Sequence, residues 1–347
     1  MKMKRAALLT FVALLVPACG GGGGGGGGGP SPFAVLFRAP APDETGISRT
    51  PVVYIQFNRA ADPATVTNQN FFLTSGGNPV PAAVSYQPCN FMARLEPSSL
   101  PLTAGTYTVH LTADLKDAGG AALAPETFDF TVSDFADTDR PTFSGVSSAA
   151  ASGTDSITLS WSAATDASSV TYDIFVSTTS GCYNFGAPFD TATASPHTVL
   201  GLAPNTTYFF IVRARDADGN TDQNTVEASA KTLVSWSANV WPIVQNNCRS
   251  CHTGSGEGAQ QVPNMIMTDA DTTRSAWVNV DPICSGGSIP PGAKRVVPGD
   301  ASQSFVYNKI SQAVPWCGDR MPRGRPALAS SDIQLFFDWI EQGALDN

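Results

Sequence analysis

The chain has 347 residues with 20 Lys+Arg against 29 Asp+Glu, a net charge of −9, and 14% charged residues beside 32 glycines and 26 prolines. That length accommodates two or three ordinary domains, and so much Gly and Pro with so little charge predicts short strands and many turns. The acidic balance disfavours nucleic acid or an anionic membrane surface as partner; a basic redox partner suits the field better.

Residues 1–18 read as an export signal: Lys2, Lys4 and Arg5, then the apolar run Ala6 to Val16, which is too short to span a bilayer. Its loss leaves 17 basic against 29 acidic residues, near −12. Leu15-Val16-Pro17-Ala18-Cys19 resembles a bacterial lipobox, which implies cleavage before Cys19 and lipidation of its thiol. Gly20 follows where a retention signal would carry Asp, so an outer-membrane lipoprotein, periplasmic or surface-facing, is expected. The alternative is an ordinary secretory signal with a coincidental cysteine. Residues 19–32 then form a lipidated tether, since the glycine run Gly20 to Gly29 pays the largest ordering entropy of any sequence. Ten glycines span roughly 16 to 19 Å end to end.

From 33 to 134 apolar residues alternate in short bursts, as in Val53, Ile55 and Phe57 and again in Tyr107, Val109 and Leu111, the period of half-buried strands. The stretches PVVYIQFNRAADPATV, LTAGTYTVHLTADLKDAGG and TFDFTV resemble a bacterial Ig-like domain. From 138 to 232, SITLSWSAATD places Trp161 on an early strand, and LAPNTTYFFIVRARDADGN places Tyr208, Phe210 and Val212 on one face of a later one. These stretches resemble a fibronectin type III domain, in which a buried Trp and a Tyr bonded back to the backbone close the sandwich, with Leu202 and Pro204 at the corner. Asp216, Asp218, Asn220, Asp222 and Glu227 fall at calcium-loop spacing, but Thr221 stands where that loop needs glycine. A Gly219-Asn220 turn is the simpler reading.

Composition shifts after Thr232. Trp236, Trp241, Trp277, Trp316 and Trp339 all lie there, as do Cys248, Cys251, Cys284 and Cys317. Cys248-Arg249-Ser250-Cys251-His252 is a CxxCH sequence. Thiols three residues apart lie about one helical turn apart, so both can form thioethers with the two vinyl groups of one haem while the next residue offers its imidazole to the iron. From composition, chance alone produces such a string on the order of once in a thousand chains of this kind. A zinc site would need four ligands, and the other histidines, His110 and His197, lie in the β domains. A disulfide oxidoreductase would need a βαβ context that this region lacks.

For the second axial ligand, bis-histidine ligation would have to borrow His110 or His197 from another domain, which leaves Met265, Met267 and Met321. Met265 and Met267 read as core around Ile266. Met321 sits in CGDRMPRGRP, an extended loop held by Pro322 and Pro326, and its thioether favours ferrous iron. The strings VWPIVQNNCRSCHTG, RVVPGDASQSFVYNKI and RMPRGRPALASSDIQLFFDWIEQGA resemble compact cytochrome c-like domains that end many exported lipoproteins. The resemblance covers 234–347 and implies His252 and Met321 as axial ligands, with Arg323 standing where the common MPPG motif has its second proline. Ser331 with Gln334 predicts a capping box for the last helix, Ile333, Phe336, Phe337 and Ile340 its buried face, and Gly343 its end. Phe337 and Trp339 are candidates to touch the ring.

Cys284 and Cys317, both in loops of an exported chain, are expected to form a disulfide bracing the Met321 loop. Cys89 and Cys182 lie in different β domains and leave an interdomain bond and two free thiols as equal alternatives.

The expected protein is multidomain: two all-β Ig-like sandwiches followed by a small, mainly α cytochrome c-like domain with one covalent haem c. Its expected work is electron transfer, not catalysis, because the chain shows no nucleotide loop, second metal cluster or catalytic triad. The alternative is a surface adhesion or carbohydrate-binding protein with a redox-sensing haem, for which Phe71, Phe72 and Tyr183 are the candidate aromatic platforms.

Overall fold

Alternation of apolar and polar residues puts every second side chain of a strand on one face, and the first sandwich is built that way. The computed structural model describes residues 31–253, 266–284 and 287–346; the signal segment, Cys19, the glycine run and Met265 lie outside the described residues. One sheet of the first sandwich runs β1 (Val35–Ala39), β3 (Val53–Phe57), β7 (Met92–Pro97), β6 (Ala82–Gln87). The other runs β2 (Glu44–Ile47), β9 (Glu126–Val132), β8 (Gly105–Leu111), β4 (Phe71–Ser75), β5 (Asn78–Val80). Pairing is antiparallel except between β2 and β9. Val53, Ile55 and Phe57 on β3 and Tyr107, Val109 and Leu111 on β8 all fill the core between the sheets.

The second sandwich sets β10 (Val146–Ala151), β11 (Ile157–Trp161) and β14 (His197–Val199) against β13 (Asp190–Ala192), β12 (Thr171–Ser177), β15 (Thr207–Arg215) and β16 (Glu227–Lys231). Trp161 packs on Tyr172 with ring centroids 5.1 Å apart. The Tyr208 hydroxyl accepts the backbone N–H of Ala203 at 2.8 Å, closing the corner.

The two sandwiches are joined covalently. Cys89, in the β6–β7 turn, is bonded to Cys182, in the loop after β12, with Cα atoms 6.1 Å apart, inside the usual disulfide range. Around the bond Asn90 Nδ2 donates to Tyr183 O at 2.9 Å, and Gln87 Nε2 donates to Gly181 O. Elsewhere on the interface Thr50 Oγ1 donates to Asn220 Oδ1 at 2.8 Å. The bridge closes a sequence separation of 93 residues, for which chain entropy alone allows up to about 4–5 kcal/mol. A Cys89→Ser, Cys182→Ser chain is therefore expected to unfold at lower urea and to be cut faster between the sandwiches in limited proteolysis; an unchanged cleavage rate would show the interface holding without the bond.

The chain leaves the second sandwich through Thr232 and Leu233, whose N–H groups bond to Thr206 O and Gly153 O at 3.0 Å each. A π-helical turn at Trp236–Val240, capped by Ser235, runs directly into α1 (Trp241–Asn247). Then come α2 (Ala270–Ser275), a 3-10 turn at Ala301–Gln303, α3 (Phe305–Ser311) and α4 (Ser330–Glu341). Three indoles form the centre: Trp236 lies 4.7 Å from Trp339 and 5.6 Å from Trp277 between ring centroids.

The capping box expected at Ser331 is not formed. The helix begins two residues earlier than that cap would set, Ser330 being its first residue and Ala329 its cap, so Ser331 lies inside the first turn and no side chain caps the end. Leu328, 6% exposed, fixes the entry of the helix by burial instead. Phe336 and Ile340 are buried with Trp339, while Ile333 and Phe337 are only half-buried. Gly343, at φ +100°, ends the helix.

Candidate functional site

Helix α1 runs out at Cys248, and the next residues continue its path as a loose turn. The N–H groups of Cys248 and Arg249 both bond to Val244 O, at 2.9 and 3.1 Å, and those of Cys251 and His252 both reach Cys248 O at 3.2 Å. The CxxCH segment is thus wound into a near-helical coil. Cys248 and Cys251 are free thiols, the first half-buried and the second exposed, and His252 is buried. The His252 carbonyl accepts the N–H of Met267 at 2.7 Å, pinning this coil to the strand of chain that leads into α2.

Cys248, Cys251 and His252 all line one cavity of about 390 Å³, and Met321 lines it as well. Its volume falls in the range of small-molecule and cofactor sites. Met267, Trp277, Phe305, Ile310 and Phe336 give it apolar walls. Arg295, Lys309, Arg323 and Arg325 also reach it, and no Asp or Glu stands among the described lining residues. In a chain with 29 acids this lining is locally cationic, with Arg323 paired to Asp319 just outside it at 2.9 Å. Burial pushes the Arg295 guanidinium and the Lys309 ammonium below their ordinary pKa values. Burial, with Cys251 beside it, pushes the Cys248 thiol up to about 11.

The loop that brings Met321 in is fastened at several points. Cys317 is bonded to Cys284 with Cα atoms 6.4 Å apart. Trp316 N–H donates to Asn308 Oδ1 at 2.9 Å, Met321 N–H to Lys309 O at 2.8 Å, and Lys309 Nζ to Cys317 O at 2.7 Å. Arg325 Nη2 reaches Ser250 Oγ at 3.3 Å, so this loop and the CxxCH coil touch across the cavity rim.

The remaining candidates fall elsewhere. His110 bonds to Thr74 Oγ1 at 2.9 Å and stacks on Phe72, and His197 pairs with Asp190 at 2.8 Å, so both belong to the sandwiches. Trp339 sits in the indole centre and Phe337 against Tyr307; neither lines the cavity, where Trp277 and Phe336 stand instead. Phe71 and Tyr183 are 0% and 1% exposed, which removes them as platforms for a ligand. At the calcium-like spacing, Asp216 spends both oxygens on Asn220, while Glu227 accepts from Tyr183, Gly181 and Ser180. Carboxylates of Asp137, Asp166 and Asp216 do come within 4.8 Å of one another, a grouping that no sequence spacing announces.

Residues 30–132 match the bacterial Ig-like domain family, and residues 139–238 match the fibronectin type III domain family. The chain carries a bacterial Ig-like domain and a fibronectin type III domain. Chitinase A1 of Niallia circulans is 41% identical over 136 residues, covering 38% of this chain and 18% of that protein. The chain therefore spans under a fifth of the length of this curated relative, and the match falls on the fibronectin region. Among solved structures, CopC from Methylosinus trichosporium is 17% identical, covering 29% of this chain and 92% of its own, with a TM-score of 0.25. FN3tt is 26% identical, covering 27% of this chain and 96% of its own, with a TM-score of 0.22.

Proposed function

We propose that the C-terminal domain is a single-haem, c-type cytochrome domain and that the chain is an electron carrier, with the Ig-like and fibronectin domains as spacers. The observation that carries this reading is the one cavity on which two free thiols, a buried imidazole and a thioether converge between apolar walls and cationic side chains. The donor set fits the group. Cys248 and Cys251 would hold it as thioethers, His252 and Met321 as ligands to its iron, and the Arg295 and Arg325 guanidinium groups would meet its two carboxylates. Bound haem c supplies one-electron exchange between ferric and ferrous iron. The chain's own contribution is to orient His252 through the coiled backbone, hold Met321 on a fastened loop, and exclude water with Trp277 and Phe336. Were His252 and Met321 both to ligate the iron, oxygen or peroxide would find no open iron site, which fits a carrier and not an enzyme.

The Ig-like and fibronectin domains, with the likeness to a chitinase, suggest an extracellular or cell-surface setting. No helix among the described residues is long and apolar enough to cross a membrane. We read Cys19 as the lipid anchor of an outer-membrane lipoprotein. The test of both ends together is haem-stained electrophoresis of the membrane fraction with mass spectrometry of the mature chain. One covalent haem and a lipidated Cys19 are expected; a chain of bare polypeptide mass would sink the reading.

The likeness to chitinase A1 favours a second reading, in which the β domains bind polysaccharide and the haem senses redox state. Retention of the full chain on a chitin column, released by soluble chitin oligomers, would support it; passage straight through supports the spacer role.

A further inference from the structure

Helix α3 ends after Ser311, so the carbonyls of its last turn have no partner within the helix. One of them, Lys309 O, is taken by the N–H of Met321 at 2.8 Å. The same residue reaches the loop a second time with its side chain: Lys309 Nζ donates to Cys317 O at 2.7 Å and to Asp319 O. From Gly318 to Met321 the backbone hydrogen bonds made among the described residues, by Asp319 O and Met321 N, both run to Lys309.

Two carbonyls flanking one residue can meet a single ammonium only if the chain turns sharply between them. Gly318 supplies that turn at φ +61°, in the left-handed region that costs a residue with a Cβ. A Cβ built there would lie 3.6 Å from Lys309 Nζ, an ordinary contact, so the requirement for glycine comes from the backbone and not from crowding. The disulfide holds Cys317 but leaves the four residues beyond it to be placed by other means.

We infer that Lys309 is a positioning residue that sets Met321 at the cavity by gripping the loop from both its ammonium and its carbonyl. This rests on the haem reading proposed above. Lys309 acts through the loop, holding three loop atoms in one geometry.

The experiment uses the full mature chain purified with its haem. Variants are Lys309→Met, Lys309→Arg and Gly318→Ala, with Lys294→Met as control, since among the described residues the Lys294 ammonium pairs with exposed Asp281 alone. Three quantities are read: haem per chain, the far-red methionine-to-iron band per haem, and the affinity of the ferric protein for imidazole. For Lys309→Met we expect unchanged haem per chain, loss of most of the far-red band, and imidazole binding at least tenfold tighter, which is about 1.4 kcal/mol. Lys309→Arg restores part of the band, because a guanidinium can still donate to both carbonyls. Gly318→Ala shifts band and imidazole affinity in the same direction as Lys309→Met, by severing the same contacts from the other side. An intact band and unchanged imidazole affinity in Lys309→Met overturn the inference while leaving the haem reading in place. Equal band loss in Lys294→Met also overturns it. Wild-type protein with covalent haem but no far-red band removes Met321 as ligand and the inference with it, and wild-type protein without covalent haem overturns the haem reading itself.

Discussion

A chain carrying Cys248→Ala and Cys251→Ala is expected to lose covalent haem entirely, with no band on a haem-stained gel and no added mass on the polypeptide. Both thiols lie on one coil against the cavity, so each single variant should keep a fraction of the attachment through the remaining thioether. Among the described residues the Ig-like and fibronectin domains share no core cluster with this region, and their melting transition should stay in place. The C-terminal domain should not fare so well. Its cavity of about 390 Å³ would be left as unfilled apolar space, and its lining would lose packing contacts on that side. Circular dichroism of the double variant should therefore show the helical signal melting earlier than the β signal. Full haem incorporation in the double variant would eliminate the proposed attachment.

The second large effect belongs to Met321→Ala. Covalent haem and His252 ligation should persist, the far-red band should vanish, and the midpoint potential should fall, because a thioether ligand stabilises ferrous iron. A fall on the order of 0.1 V sits well within the roughly 0.8 V that axial ligation spans among haem proteins. The vacated position should also bind cyanide or imidazole readily. Met267 lines the same cavity, 3% exposed and held through its N–H to His252 O. A band that survives in Met321→Ala and disappears in Met267→Ala would transfer the ligand role to it.

What could be read along the chain was whatever depends on short spacing. Cys248, Cys251 and His252 are neighbours in sequence and stay neighbours in space, and Val53, Ile55 and Phe57 face one core because a strand permits nothing else. Trp161 and Tyr208 likewise sit where the fibronectin pattern puts them. The features that escaped depend on distance along the chain. The Cys89–Cys182 bond, which the sequence leaves open against two free thiols, joins loops 93 residues apart, and only the docking of two sandwiches decides between the two. The sequence offers Phe337 and Trp339 as candidates to touch the ring, but Trp339 lies in the indole centre and Phe336, not Phe337, lines the cavity. Lys309 gave no signal because its role depends on where α3 ends and on what Gly318 does to the loop. That four cations and no Asp or Glu stand among the described lining residues, with Asp319 behind them paired to Arg323, follows from the fold and runs opposite in sign to the chain as a whole.

The indole centre has an optical consequence. Trp277 forms part of the cavity wall, and Trp236 and Trp339 follow within 5.6 Å steps, so excitation on any of the three lies close to whatever absorbs light in the cavity. A bound porphyrin would quench their emission by energy transfer, while Trp161, in the fibronectin core, provides a more remote emitter in the same molecule. Intrinsic fluorescence would then report cofactor loading without any added label, bright for the empty chain and dim for the filled one.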